Sequence, residues 1–189
     1  MAYYLVLFSP ETYDVFTKSN RKVCGFRLAQ EVSARQVNVG DKFVCYMTKF
    51  SRWVGILEAN SQAYKNRSPL FYVSNDPFLI RFQVKPIVWL EKDYTIPIYE
   101  ERIWDKLSFT RGRKKHSYTW TGKIRCSLRK MEDSDGKFLE RSMIKQATKS
   151  VPFELDEALY EQLVTERMRR LNQFSIVSQK ELGRKQNEL

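Results

Sequence analysis

Histidine is almost missing from this chain: His116 is the one such residue in 189. A Ser-His-Asp triad or a histidine-rich metal centre would hang on that single side chain. It lies in Arg111-Gly-Arg-Lys-Lys-His116, which reads as a solvated basic loop. Cysteine is scarce as well. Cys24, Cys45 and Cys126 are odd in number, widely spaced and without a CxxC pair, which argues against a disulfide scaffold and a zinc site. Each sits among apolar neighbours and reads as a small buried filler. Acids, His and Cys are not arranged for hydrolysis, so no catalytic residue, metal or cofactor is expected. No apolar run approaches the ~20 residues that a membrane helix needs. The opening MAYYLVLFSPE lacks both a basic segment and a small-residue cleavage site. These absences lead to the expectation of a cytoplasmic binding protein with no membrane partner.

What the chain has in excess is positive charge. There are 33 Lys and Arg against 22 Asp and Glu, a formal net charge of +11. The surplus is uneven: from Val151 onward six basic residues face seven acidic ones, so residues 1–150 carry 27 against 15. Between Ser108 and Lys130 there are eight Lys or Arg and no acid over 23 residues. A charge run alone is usually a solvated face. Here Phe109, Tyr118 and Trp120 are interleaved with the charges, and flat side chains beside cations suit phosphates and unstacked bases. Arg111, Arg113, Lys114, Lys115, Tyr118, Trp120 and Lys123 are therefore the candidate backbone or groove contacts. Nucleic acid is the first partner to consider, ahead of an anionic membrane surface.

With 42% apolar and 14% aromatic residues, the chain can bury one core of ordinary size. Tyr3–Phe8 predicts a strand, and Ser9-Pro10 starts a short helix to about Lys18. Val23–Phe26 reads as extended. Val39-Gly40-Asp41 is a turn into Lys42–Thr48, and Trp53–Ala59 is the return strand of a hairpin. Gly55 marks a bulge or a close backbone approach. A loop with Asn66, Ser68 and Pro69 leads to Leu70–Val73, and Phe78 to about Leu90 reads as a long strand. Pro97 demotes Tyr94–Tyr99 to an edge or bend. Helical turns are expected near Ile103–Leu107, and helices over Asp133–Ala147 and Leu155–Phe174. Gln179–Leu189 reads as a polar frayed end or linker. Six or seven short strands with small helices between them predict an α+β fold, a small, strongly curved mixed β-barrel. The expected division is a binding domain at 1–150 and a C-terminal helix with polar tail at 151–189.

Several motifs occur together in order: Tyr3-Tyr-Leu-Val-Leu-Phe-Ser9, Cys24-Gly-Phe26, Val39-Gly-Asp-Lys-Phe-Val-Cys-Tyr46 and Val54-Gly-Ile-Leu-Glu58. A Pro-containing loop precedes the strand Phe78–Pro86, and Leu107-Ser-Phe109 is followed by a Trp and Gly122-Lys-Ile124. This ordered set resembles the EVE family of the PUA-like superfamily, over about residues 2–147. EVE domains are similar in fold to YTH domains, which hold a methylated base in an aromatic cage, and more distantly to ASCH and PUA domains. The resemblance implies a small barrel with a pocket at one mouth and no catalysis.

Carried onto this sequence, the pocket includes Ser9 as a polar contact to a base edge. It includes Phe26 as the first cage aromatic, where a Trp is usual, and Phe71 or Tyr72 as the second. Trp53, beside Arg52 in the hairpin, is the tryptophan least expected to be plain core, so it joins the candidate pocket; Trp89 and Trp104 read as structural. Asp76, if ionised, favours a base edge rich in N–H donors, such as the amino groups of cytosine or adenine. The expected function is recognition of a methylated cytosine or adenine in DNA, flipped into the aromatic pocket. By resemblance this is the specificity domain of a modification-dependent (McrB-like) restriction system, with a nuclease or motor as partner. Two alternatives stand beside it: a reader of modified or structured RNA, and a protein that docks a partner through the Leu155–Leu171 stripe.

Overall fold

The computed structural model describes residues 1–148 and 151–186, with side chains through Leu171. In chain order the elements are β1 (Tyr3–Phe8), α1 (Pro10–Lys18), β2 (Val23–Phe26), α2 (Glu31–Ala34), β3 (Lys42–Met47), β4 (Arg52–Ala59) and β5 (Tyr64–Lys65). They continue with β6 (Ile80–Trp89), β7 (Ile96–Pro97), α3 (Glu101–Trp104), β8 (Arg129–Lys130), α4 (Asp133–Ala147) and α5 (Glu157–Gln186). The strands form one sheet in the order β2-β6-β4-β3-β1-β8, with β5 added to β6 and β7 to β4. β1 and β3 run parallel; the other ladders are antiparallel. The architecture is the α+β, strongly curved half-barrel with short helices and a C-terminal helix that the sequence predicts.

Both faces of the sheet are covered, which explains why its central strands are apolar throughout instead of alternating with polar residues. In β1, Tyr4, Val6 and Phe8 enter one core, against α1, Phe43 and Phe82. Tyr3 and Leu5 enter the other, with Trp53, Ile56, Trp104, Leu139 and Met143. On this second face α4 lies so close that a Cβ added at Gly136 would sit 2.1 Å from Tyr3 Cγ. At Gly55 the β3–β4 register shifts, and an added Cβ would meet the Trp89 ring at 2.5 Å and the Val88 carbonyl at 2.7 Å. The expected bulge and the expected close approach both occur there. The Gly-Asp turn is structural. Gly40 takes φ +87, and buried Asp41 accepts hydrogen bonds from the backbone N–H of Ala2 (2.7 Å) and Asn38 (2.9 Å).

The segment Leu70–Val73 belongs to a loop over residues 66–79 before the long strand, and the short β5 precedes it. Its apolar side chains pack onto the first core, while buried Arg81 pins the loop through the Phe78 carbonyl (3.1 Å), Ser68 Oγ (3.1 Å) and the Ser68 carbonyl. The C-terminal helix runs to Gln186, beyond the predicted end at Phe174; residues 187–189 of the expected tail lie outside the described residues. Among the described residues no helix is long and apolar enough to cross a membrane.

Candidate nucleic-acid interface

The predicted pocket residues fall into three environments. Phe26 and Trp53 are core. Phe26 is 3% exposed and meets Phe43 and Phe82 edge to face at 5.9 and 5.8 Å. Trp53 is 0% exposed and packs edge-on against Tyr46 at 4.8 Å. Strand alternation is the reason: both rings sit on inward positions of ladders buried on both faces, so neither reaches a surface slot. Among the described residues the buried indole N–H of Trp53 has no hydrogen-bond partner.

Phe71, Tyr72 and Asp76 lie together on the 66–79 loop, around a residue that was not singled out from sequence, Arg27. Its guanidinium lies 3.9 Å from the Phe78 ring centroid and 5.7 Å from that of Tyr72. It donates to Tyr72 Oη at 2.9 Å and to Ser74 Oγ at 3.4 Å, and Asp76 lies 3.6 Å away. Tyr72 and Phe78 meet edge to face at 5.4 Å, with Phe71 beneath, edge-on to Phe78 at 4.8 Å. The loop therefore holds a flat cation over the face of Phe78 and against the hydroxyl of Tyr72, a position that a planar group can occupy. Alternation is the signal that could have found Arg27: Cys24 and Phe26 point inward, so the residue after Phe26 points out.

Ser9 stands apart from that loop, at the end of β1. It precedes α1, where its backbone N–H donates to Thr12 Oγ1 at 2.9 Å and its hydroxyl lies 3.0 Å from the same atom. Thr48 N–H donates to the Phe8 carbonyl at 2.8 Å, which brings the β3–β4 turn alongside Ser9. Two turn residues, Lys49 and Ser51, take positive φ (70° and 55°), uncommon for residues with a side chain. A cleft of about 400 Å³ opens here, lined by Ser9, Pro10, Glu11, Lys49 and four residues of α5: Leu163, Glu166, Arg167 and Arg170. Arg167 joins it to the aromatic loop, lying 3.5 Å from Glu11 and 6.0 Å from the Tyr72 centroid.

The basic segment reaches the same end of β1 from the other side. β8 pairs with Tyr4 and Leu5, and Ser127 Oγ accepts from Leu7 N–H at 2.9 Å, two residues before Ser9. Trp120, predicted as a contact, is an anchor instead, 2% exposed and 5.1 Å from Trp104. The two indoles donate to backbone carbonyls of the loop, Trp104 to Arg113 and Trp120 to Lys115, each at 3.2 Å. The tryptophans thus fix the backbone while Arg111, Arg113, Lys114 and Lys123 stay exposed, with Tyr118 85% exposed beside them. Lys115 is partly spent, donating to the Tyr99 carbonyl at 2.8 Å. Lys123, Arg129 and Lys130 border a second, smaller cleft of about 150 Å³ next to Leu5 and Asp135.

Solved structures similar to this chain include YTH domains. The Pho92 YTH domain in complex with m6A aligns with a TM-score of 0.55 at 12% identity, over 82% of this chain and 90% of that one. The Mmi1 YTH domain in complex with RNA aligns with a TM-score of 0.53 at 12% identity, over 82% of this chain and 84% of that one. No protein-family model matches the sequence, and no curated protein matches it either. The fold is thus YTH-like, a strongly curved half-barrel.

Proposed function

We propose that this chain is a binding module that reads a modified base in nucleic acid, without catalysis of its own. The observation that carries the reading is the planar Arg27 guanidinium held 3.9 Å over the Phe78 ring and hydrogen bonded to Tyr72, in a chain that also exposes a basic segment. A flat, methylated base is the natural competitor for that position. Its arrival displaces Arg27 and frees Asp76 to accept from an exocyclic amino group. Extrusion of a base costs a few kcal/mol, and stacking returns ~1–3 kcal/mol. Phosphate contacts from Arg111, Arg113, Lys114 and Lys123 then provide most of the affinity, so binding weakens steeply with salt.

The sequence resemblance to EVE domains favours DNA as the ligand and a restriction system as the setting, with a nuclease or motor as partner. A reading in which the ligand is RNA is favoured by a separate observation, that the similar YTH domains include complexes with RNA. Binding of single and double strands of DNA and RNA, each plain, methyl-cytosine or methyl-adenine, at two salt concentrations decides between them. The expected result is one modified strand type preferred over its plain counterpart. Uniform affinity across the panel contradicts the reading.

A further inference from the structure

The cleft at Ser9 is built from two parts of the chain that are distant in sequence, and α5 supplies one wall of it. The start of α5 is fastened to the body of the domain. Tyr160 is 5% exposed, its ring lies 5.7 Å from that of Phe50, and its hydroxyl lies 3.4 Å from the Pro10 carbonyl. Lys92 sits 5.0 Å over the Tyr160 ring and pairs with Glu157, while the Arg52 guanidinium holds the Thr95 and Glu154 carbonyls just before the helix. A flexible spacer between domains has no need of so many ties.

Three cations converge on the cleft: Lys49 from the β3–β4 turn, and Arg167 and Arg170 from α5. Two are balanced by carboxylates, Arg167 by Glu11 at 3.5 Å and Arg170 by Glu166 at 3.9 Å. Lys49 is exposed, and among the described residues it has no ion pair. The cleft therefore carries one uncompensated positive charge beside the Ser9 hydroxyl. That balance suits a singly charged phosphodiester. It disfavours a dianion such as free phosphate, whose second charge would face Glu11 and Glu166.

We infer that this cleft is a phosphodiester subsite: Lys49 and Arg170 receive one backbone phosphate of the strand whose base takes the place of Arg27 over Phe78 and beside Tyr72. The helix α5 is then part of the binding surface, and Arg167, which touches both the cleft and Tyr72, couples the two. The inference rests on the reader function proposed above and adds to it a contact outside the basic loop.

The test is fluorescence anisotropy with the tightest-binding oligonucleotide, as a salt series, for the whole chain and three variants. Lys49→Asn removes the charge with a side chain that tolerates a left-handed backbone, and Arg170→Gln removes the other. Lys145→Gln, on an exposed position of α4 across the sheet, is the comparator. Lys49→Asn and Arg170→Gln are each expected to lower the slope of log K against log salt by roughly 0.7–0.9, the contribution of one phosphate contact. Preference for the modified base stays unchanged, and Lys145→Gln leaves the slope as it was. If the whole chain binds and neither variant changes the slope, the subsite is wrong and the reader function stands. If inorganic phosphate at matched ionic strength displaces the oligonucleotide from the whole chain but not from Lys49→Asn, the cleft is a free-phosphate site. If the whole chain binds no oligonucleotide, the reader function fails and the subsite with it.

Discussion

Trp53 places an indole N–H in the core with no hydrogen-bond partner among the described residues. A buried unsatisfied donor costs about 1–3 kcal/mol, so removing it offsets part of the loss of ring volume. Trp53→Phe should therefore cost only about 1–2 kcal/mol in urea unfolding, against about 3–5 kcal/mol for Trp53→Ala. Neither should change oligonucleotide affinity while the protein is folded, because the ring faces the core. The cysteines separate in the same way. Burial pushes the Cys24 thiol up to about 12 and raises Cys45 well above its ordinary range, while Cys126 is exposed. A thiol reagent at pH 8 should label one cysteine per native chain and three after denaturation. Burial also raises the hydroxyls of Tyr3, Tyr13, Tyr46 and Tyr160. For all these groups the unfolded chain ionises first. Their contribution to stability is whole below about pH 9 and falls as pH rises through the folded values. Thermal melts should accordingly hold steady from these groups between pH 6 and 8 and drop in the range above pH 9.

Among the elements, α4 depends most visibly on a single atom. A methyl group at Gly136 would collide with the Tyr3 side chain at 2.1–2.6 Å, at the point where α4 crosses β1. Gly136→Ala gains helix propensity and still should destabilise the domain by about 1–3 kcal/mol or more, measured by denaturant unfolding, because helix or strand must shift. Elements of this kind were legible in the sequence: α1 at Pro10–Lys18 follows from Ser9-Pro10 at its start and α4 at Asp133–Ala147 from its apolar residues. The packing of the 66–79 loop was not. Phe71 and Tyr72 read as lying in the loop before the long strand, but what holds that loop is ring packing and Arg81 from another element. The pocket was legible only where a loop was named as its carrier. The roles of Arg27, Glu11, Lys49 and Arg167 come from contacts across the fold, which no local pattern encodes. Trp120 was misplaced for a related reason, since an aromatic within a basic run looks the same in sequence whether it anchors the run or faces a ligand.

For the molecule as a whole, the proposed function assigns charge and discrimination to different surfaces. In the proposed function the acid-free segment, with Arg111, Arg113 and Lys114 exposed, acts on phosphates whatever the base. Substituting Arg113 and Lys114 together by Ala should weaken binding of every oligonucleotide and lower the salt slope by roughly 1.4–1.8, with the ratio of modified to plain affinity unchanged. The Tyr72–Phe78 pair should behave in the opposite way. The central claim is that the fold reads a modification on one base. The most direct test is anisotropy at one salt concentration with oligonucleotide pairs that differ by a single methyl group on cytosine or adenine. One methylated strand is predicted to bind at least about tenfold tighter than its plain twin, the equivalent of about 1.4 kcal/mol. Equal affinity within every pair would contradict the account.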